Sequence, residues 1–156
     1  MTVRRLATGA TALLAFTLPA VLTAADAGAF AEIVEARQAA FEELGGAVKV
    51  FRDQLRGDAP FDLEAQAAAA ATISGHAPDI VEWFPEGSGA DGGYDTDALA
   101  YIWRNRTKFD GLAGDLVPRA AALEAAVATG DRGEILQAFR TVGGTCGDCH
   151  DSFRAD

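Results

Sequence analysis

Cys146, Cys149 and His150 are the residues of this chain whose types and spacing can do chemistry. The chain has 156 residues and two cysteines, and both cysteines fall in the tail "GGTCGDCHDSFRAD". On a helix, three residues advance about 300° and four about 400°, so the two thiols and the imidazole project from one side. A Cys-x-x-Cys-His run suits covalent attachment of haem c: the thiols add to the vinyl groups as thioethers, and the imidazole reaches the iron as an axial ligand. Three other uses of these residues fit less well. A thioredoxin-type Cys-x-x-Cys needs a βαβ context that this sequence does not offer. A zinc site needs four ligands, and only two thiols and two histidines are present, His76 being far off in sequence. A local disulfide leaves His150 without a purpose.

Such a site needs elements to carry it, and the sequence supplies helices. Four apolar seams advance in alternating steps of three and four. The first runs Phe30, Val34, Arg37, Phe41, Leu44, Val48, Phe51, Leu55, and the second Leu63, Ala67, Ala70, Ile73, Ala77, Ile80, Phe84. The third runs Leu99, Ile102, Arg106, Phe109, Ala113, Leu116, Ala120, Leu123, Val127, and the fourth Ile135, Phe139, Val142, Cys146, Cys149, Phe153. Steps averaging 3.5 put a narrow apolar stripe down each helix, and no stretch shows sustained strand alternation. "RGDAPFD" ends the first helix, with Asp62 placed to cap the second. The Gly-rich "PEGSGADGGYDTD" joins the second to the third, and "ATGDRGE" precedes the fourth, where Asp131 and Glu134 have capping-box spacing. The expectation is an all-α fold, an antiparallel four-helix bundle with covalently bound haem c on the last helix. Pro118 should kink the third helix near Gly114, and Gly75 and Pro78 mark where the second can end early.

Residues 1–27 have a different character. "MTVRR" is a short basic start, "LATGATALLAFTLPAVLTA" an apolar run, and "ADAGA" supplies small residues at A-x-A spacing. That layout predicts a secretory signal peptide cleaved after Ala25, Ala27 or Ala29, leaving residues 28–156 as one bundle domain in the periplasm. The run is short and interrupted by Gly9 and Pro19, which argues against a membrane anchor. Lysines and arginines number 13 against 23 aspartates and glutamates, a formal charge of −10. This excess argues against nucleic acid or an anionic membrane surface as partner.

Beyond the haem motif, "RQAAF" (Arg37 to Phe41), "FPEGSG" (Phe84 to Gly89), "DTDALAYIW" (Asp95 to Trp103) and "CGDCHDSFR" (Cys146 to Arg154) resemble cytochrome c′, the class II c-type cytochromes. The resemblance covers nearly all of the chain after the leader. It implies that Cys146 and Cys149 hold the haem and that His150 is the proximal ligand of the iron. It also implies that Arg37 and Gln38 lie beside the propionates, Asp95 and Thr96 near the haem edge, and Arg154 next to the proximal imidazole, with Phe41 over the distal face. Ala100 departs from the family pattern, which has proline there. The family resemblance further implies a homodimer formed through the first two helices, where the run "AQAAAAA" (Ala65 to Ala71) would allow close approach.

The residues speak to part of this unaided. Arg37 interrupts an apolar seam, where a charge needs a partner such as a propionate or must snorkel at the seam's edge. Phe41 by itself is a core aromatic, His76 a surface or helix-end histidine, and Arg106 a snorkelling side chain without assigned function. Low-spin members of the class use a methionine as sixth ligand, and the only methionine here is Met1 in the leader. Lys49 lies two turns beyond Phe41. The iron is therefore expected to be five-coordinate and high-spin, open to NO and CO under an apolar cap that gives bound O₂ no hydrogen bond. Three functions follow: binding of those gases, electron transfer with a redox partner protein, and peroxidase-like chemistry. The last lacks a distal acid–base group, so the expectation is a haem protein that is not an enzyme.

Overall fold

The computed structural model describes residues 24–155. Five helices follow one another: α1 (Ala24–Arg56), α2 (Leu63–His76), α3 (Tyr101–Arg104), α4 (Arg106–Thr129) and α5 (Arg132–Phe153). Helix α1 packs on α2, α2 on α4, α4 on α5, and α5 back on α1, which closes a four-helix bundle. The leader expected at residues 1–27 lies mostly outside the described residues, and α1 runs through the cleavage positions Ala25, Ala27 and Ala29. None of the helices among the described residues is long and apolar enough to cross a membrane.

The seams form the core. Phe51, Ile73, Ile102, Leu123, Ile135 and Val142 are fully buried, and Phe51 stacks on Phe139 across α1 and α5 at 5.2 Å. The start of the second seam differs from expectation. Leu63 and Ala67 are exposed, and Gln66 and Ala69 face inward instead, beside the expected Ala70. Gln66 is drawn in because its amide donates to Gln54 Oε1 (2.9 Å), which also accepts from the Asp62 amide (2.8 Å).

Caps end the helices where the chain signals them. Asp62 Oδ1 accepts from the amides of Glu64 (2.9 Å) and Ala65 (3.1 Å). Asp131 Oδ1 does the same for Gly133 (2.8 Å) and Glu134 (2.9 Å). The reciprocal half of the capping box is absent: the Asp131 amide donates to Thr129 Oγ1, and so Glu134 pairs with that hydroxyl instead. Gly130, at φ 72°, makes the left-handed turn that lets α5 follow α4 after two residues.

The second helix ends early, where Gly75 and Pro78 mark it, and the third begins with a break that the sequence did not mark. Helix α2 stops at His76 and passes into a 3₁₀ turn over Ala77–Asp79, because Pro78 cannot continue it. Pro118, expected to kink the third helix near Gly114, stands inside α4, which runs unbroken from Arg106 to Thr129. The third helix is instead divided at Asn105, whose φ of −129° and ψ of 44° separate the single turn α3 from α4. That turn begins just after Ala100, the position of the missing proline.

Between α2 and α3 the chain runs without regular helix apart from short turns. Its far end, residues 97–99, is tied to the end of α5. The Leu99 amide donates to the Phe153 carbonyl (3.0 Å), and the Ala155 amide to the Asp97 carbonyl (2.8 Å). The loop is thereby held between the middle of α1 and the end of α5, the two places where the sequence puts its chemistry.

Candidate functional site

Cys146 and Cys149 lie on α5 with their side chains half-buried against the core cluster. Both are free thiols. Burial pushes both thiols up from their ordinary values, and the neighbouring Cys146 pushes Cys149 further. They are thus neutral thiols in a largely apolar setting: Lys108 pulls Cys149 down, but burial and Cys146 outweigh it, unlike the surroundings that activate a redox cysteine. His150 is half-buried, and burial together with the Arg154 guanidinium holds its imidazole below the ordinary value. It is therefore neutral at neutral pH, the form that binds a metal. His150 shares a cleft of about 290 Å³ with Leu99, Asp151, Arg154 and Ala155.

Arg154, one turn on, approaches His150 Nδ1 at 3.3 Å. An imidazole bound to a metal through Nε2 carries its proton on Nδ1, so the exposed Arg154 must swing off this nitrogen for ligation. Among the described residues, no three His, Cys, Asp or Glu side chains group as a metal site would require. A zinc centre therefore gains no support. Two unpaired inward thiols and a neutral imidazole on one helix face fit haem c, whose macrocycle supplies the other four ligands.

The second half of the site gathers around Arg37. This side chain is 2% exposed on α1. Its Nη1 donates to Ser88 Oγ (2.8 Å) and, at 3.4 Å, to the Trp83 carbonyl; its Nη2 donates to the Ser88 carbonyl (2.8 Å) and Thr96 Oγ1 (2.9 Å). The guanidinium also lies 4.7 Å above the Phe84 ring. Snorkelling is thus overturned, because the head group is buried and clamps the loop. Among the described residues every acceptor is neutral, so the positive charge has hydrogen bonds but no counter-anion. Burial lowers its pKa, and such a charge draws an anion to it. Next to it, Gln38 Nε2 donates to the Asp95 carbonyl (2.9 Å). The structure thus brings Arg37, Gln38, Asp95 and Thr96 into one cluster.

Phe41, one turn further along α1, meets Trp83 edge-on at 5.4 Å and Phe84 at 6.1 Å. Phe84 continues through Phe109 (4.9 Å) to Phe153 (5.3 Å), three residues beyond His150. A run of rings therefore links the Arg37 cluster to the end of the thiol-bearing helix.

Three residues escaped the sequence reading, and a fourth, Arg106, has another role than the one expected. Ser88, fully buried inside "FPEGSG", is the main partner of Arg37. Trp83 packs between Phe41 and His76, the ring centroids of Trp83 and His76 being 5.6 Å apart. Arg106 does not snorkel: it donates to the carbonyls of Phe84 (2.7 Å) and Val81 (2.8 Å) and pairs with Asp110 (2.6 Å). Its break in an apolar seam was the available signal, the same one that marked Arg37. Thr145, buried just before Cys146, accepts from Arg119 and donates to the Thr141 carbonyl (3.0 Å); it carried no signal.

Comparison with known proteins follows this geometry. Residues 32–154 match the family model described as cytochrome C′. The cytochrome c′ of Rhodopseudomonas palustris is 32% identical over 135 residues, covering 86% of this chain and 90% of its own. The solved cytochrome c prime from Shewanella frigidimarina superposes with a TM-score of 0.76 at 33% identity, over 81% of this chain and 97% of that one. A third structure, a cytochrome c′ described as having an unusual ligand-controlled dimer dissociation, has a TM-score of 0.74 at 26% identity, with 81% and 97% coverage.

Proposed function

Because the chain belongs to the cytochrome c′ family of haem c proteins, we propose that it is exported to the periplasm and binds NO and CO at a five-coordinate, high-spin iron. When bound, the haem supplies an iron that cycles between two oxidation states and takes a diatomic gas at its open position. In this reading Cys146 and Cys149 carry the group, and His150 is the sole protein ligand of the iron. Arg37, with Gln38 beside it, meets a propionate with its unmatched charge; Asp95, Thr96 and Arg154 border the group, and Phe41 covers the open face.

The observation that carries this reading is the lack of a sixth ligand. The one methionine is Met1, in the expected leader. The two other candidates are already engaged: His76 Nε2 pairs with Glu43 at 2.9 Å, and Lys49 pairs with Asp53 one turn along α1. Phe41 brings no hydrogen-bond donor, which suits NO and CO and disfavours stable O₂ binding.

Electron transfer is the second reading, and one observation favours it. Tyr101, 39% exposed, stacks on the buried Phe153 at 5.6 Å. This gives a redox partner protein an aromatic contact with the haem-bearing helix.

Absorption spectra of the purified protein, oxidised, reduced and with NO or CO, test the proposal. High-spin ferric and ferrous spectra that change on adding either gas are expected. A sharp low-spin α band without added ligand would overturn the open coordination site. Intact mass of the secreted protein should equal the chain from about residue 28 plus one haem. Replacing Cys146 and Cys149 together with serine should abolish the covalent mass.

A further inference from the structure

Phe41 does not stand alone over its site, and its neighbours differ in how far they can yield. One is Phe84, which is buried, packed on Phe109 at 4.9 Å and covered by the Arg37 guanidinium at 4.7 Å. A buried ring with a guanidinium over it and a second ring packed against it has little room to move in a close-packed core. The second ring neighbour of Phe41 is Trp83, half-buried in the turn that follows α2, with the two rings perpendicular at 5.4 Å and 84°. The Trp83 backbone is held at both polar groups: its amide donates to the Ile80 carbonyl (3.3 Å) and its carbonyl accepts from Arg37. Its indole also packs against the His76 ring at 5.6 Å. His76 is itself fixed by Glu43, which sits two residues after Phe41 on the same helix. Phe41, Trp83, His76 and Glu43 thus form a closed ring of contacts that begins and ends on α1.

We infer that Trp83 is a positioning residue for the ligand gate: it sets how far Phe41 can swing, and the His76–Glu43 pair sets how far Trp83 can yield. The inference rests on the reading in which Phe41 covers the open face. With Phe84 immobile, the ring neighbour that can yield to a displaced Phe41 is the indole. Part of the barrier to ligand entry then lies in the residue behind Phe41.

The test is a double-mutant cycle on the haem-bearing protein, read by flash photolysis of CO. Trp83→Leu should raise the CO association rate by about threefold to tenfold, a barrier change within reach of one lost packing contact. In a Phe41→Ala background the same substitution should change nothing, because no ring remains to be held. Trp83→Phe retains an aromatic edge and should stay within about twofold of the wild type; it also serves should Trp83→Leu not fold. A second readout is independent of ligand binding. The protein has two tryptophans, and Trp103 is fixed elsewhere through Nε1–H to the Pro85 carbonyl at 2.9 Å. In 5-fluorotryptophan-labelled protein, Phe41→Ala and Glu43→Gln should each shift the ¹⁹F resonance that Trp83→Phe removes, and leave the other in place. If Phe41→Ala speeds CO binding but Trp83→Leu does not, or if Trp83→Leu adds the same factor in both backgrounds, the inference is wrong while the Phe41 reading survives. If Phe41→Ala leaves the rate unchanged, the Phe41 reading falls and the inference with it.

Discussion

Phe41 shows how little a residue's type says about its task. In sequence it is one more apolar position of a helical seam, and only the family resemblance makes it a candidate gate; the fold packs Trp83 and Phe84 beside it. Phe41→Ala should raise the CO association rate about tenfold or more, since tenfold needs only about 1.4 kcal/mol off the barrier. The ring is half-buried, so the stability cost should be about 2 kcal/mol, below the 3–5 kcal/mol typical of a fully buried phenylalanine. Flash photolysis and thermal unfolding on the same samples separate the two effects; a loss of stability without a faster rate would make Phe41 ordinary packing. Cys146, Cys149 and His150 are the opposite case. Their chemistry is legible from type and spacing alone, because three residues within about one turn hold their relation in any helix.

At the scale of elements, the loop between α2 and α3 owes its shape to two arginines. Arg37 and Arg106 reach it from α1 and α4 and between them bond to Val81, Trp83, Phe84, Ser88 and Thr96. A lysine cannot reproduce the forked geometry of a guanidinium. Arg37→Lys should leave at least one buried acceptor unpaired and cost about 2 kcal/mol. For a domain of this size that lowers Tm by about 4–8 °C, measured by thermal unfolding at fixed haem content. A drop under about 1 °C would mean that the loop holds its shape without the fork. The same loop packs closely at Gly89, where an added Cβ would lie 2.5 Å from Cζ3 of Trp103. Gly89→Ala should push the indole aside, weaken its bond to the Pro85 carbonyl, and cost about 1–3 kcal/mol. An unchanged melt would show that the indole moves freely.

For the whole molecule, assembly is the open property that the surface addresses. Ala67, Ala68 and Ala71 are exposed on α2, and added Cβ atoms at Gly45 and Gly46 on α1 would meet nothing within 4 Å. Such low-relief helices allow a second copy to approach closely, in keeping with the homodimer that the family resemblance implies. Sedimentation at tens of micromolar, a range set by affinities of moderate strength, should give a dimer that Ala68→Arg converts to monomer. The same run with CO would show whether ligand loosens the dimer, as described for one structural relative. Monomer under all conditions would remove the dimer.

What the sequence determined by itself is local: the haem motif, the helical seams, the caps at Asp62 and Asp131, and the end of α2 near Pro78. Each depends on residues within a turn or so of one another, and backbone geometry alone relates them. The tertiary structure decided the rest. Arg37 finds Ser88 51 residues away and Thr96 59 residues away, and Arg106 reaches back 25 residues to Val81. Neither set of partners has a spacing rule, since both depend on how the bundle closes. The inward turn of Gln66 and the exposure of Leu63 follow from a hydrogen bond to Gln54 across the α1–α2 turn, which overrides the apolar pattern. A buried polar group must find its partner wherever the fold places it, so the positions at which these seams break their own rule could be read as places needing a partner, while the partner itself required the folded chain.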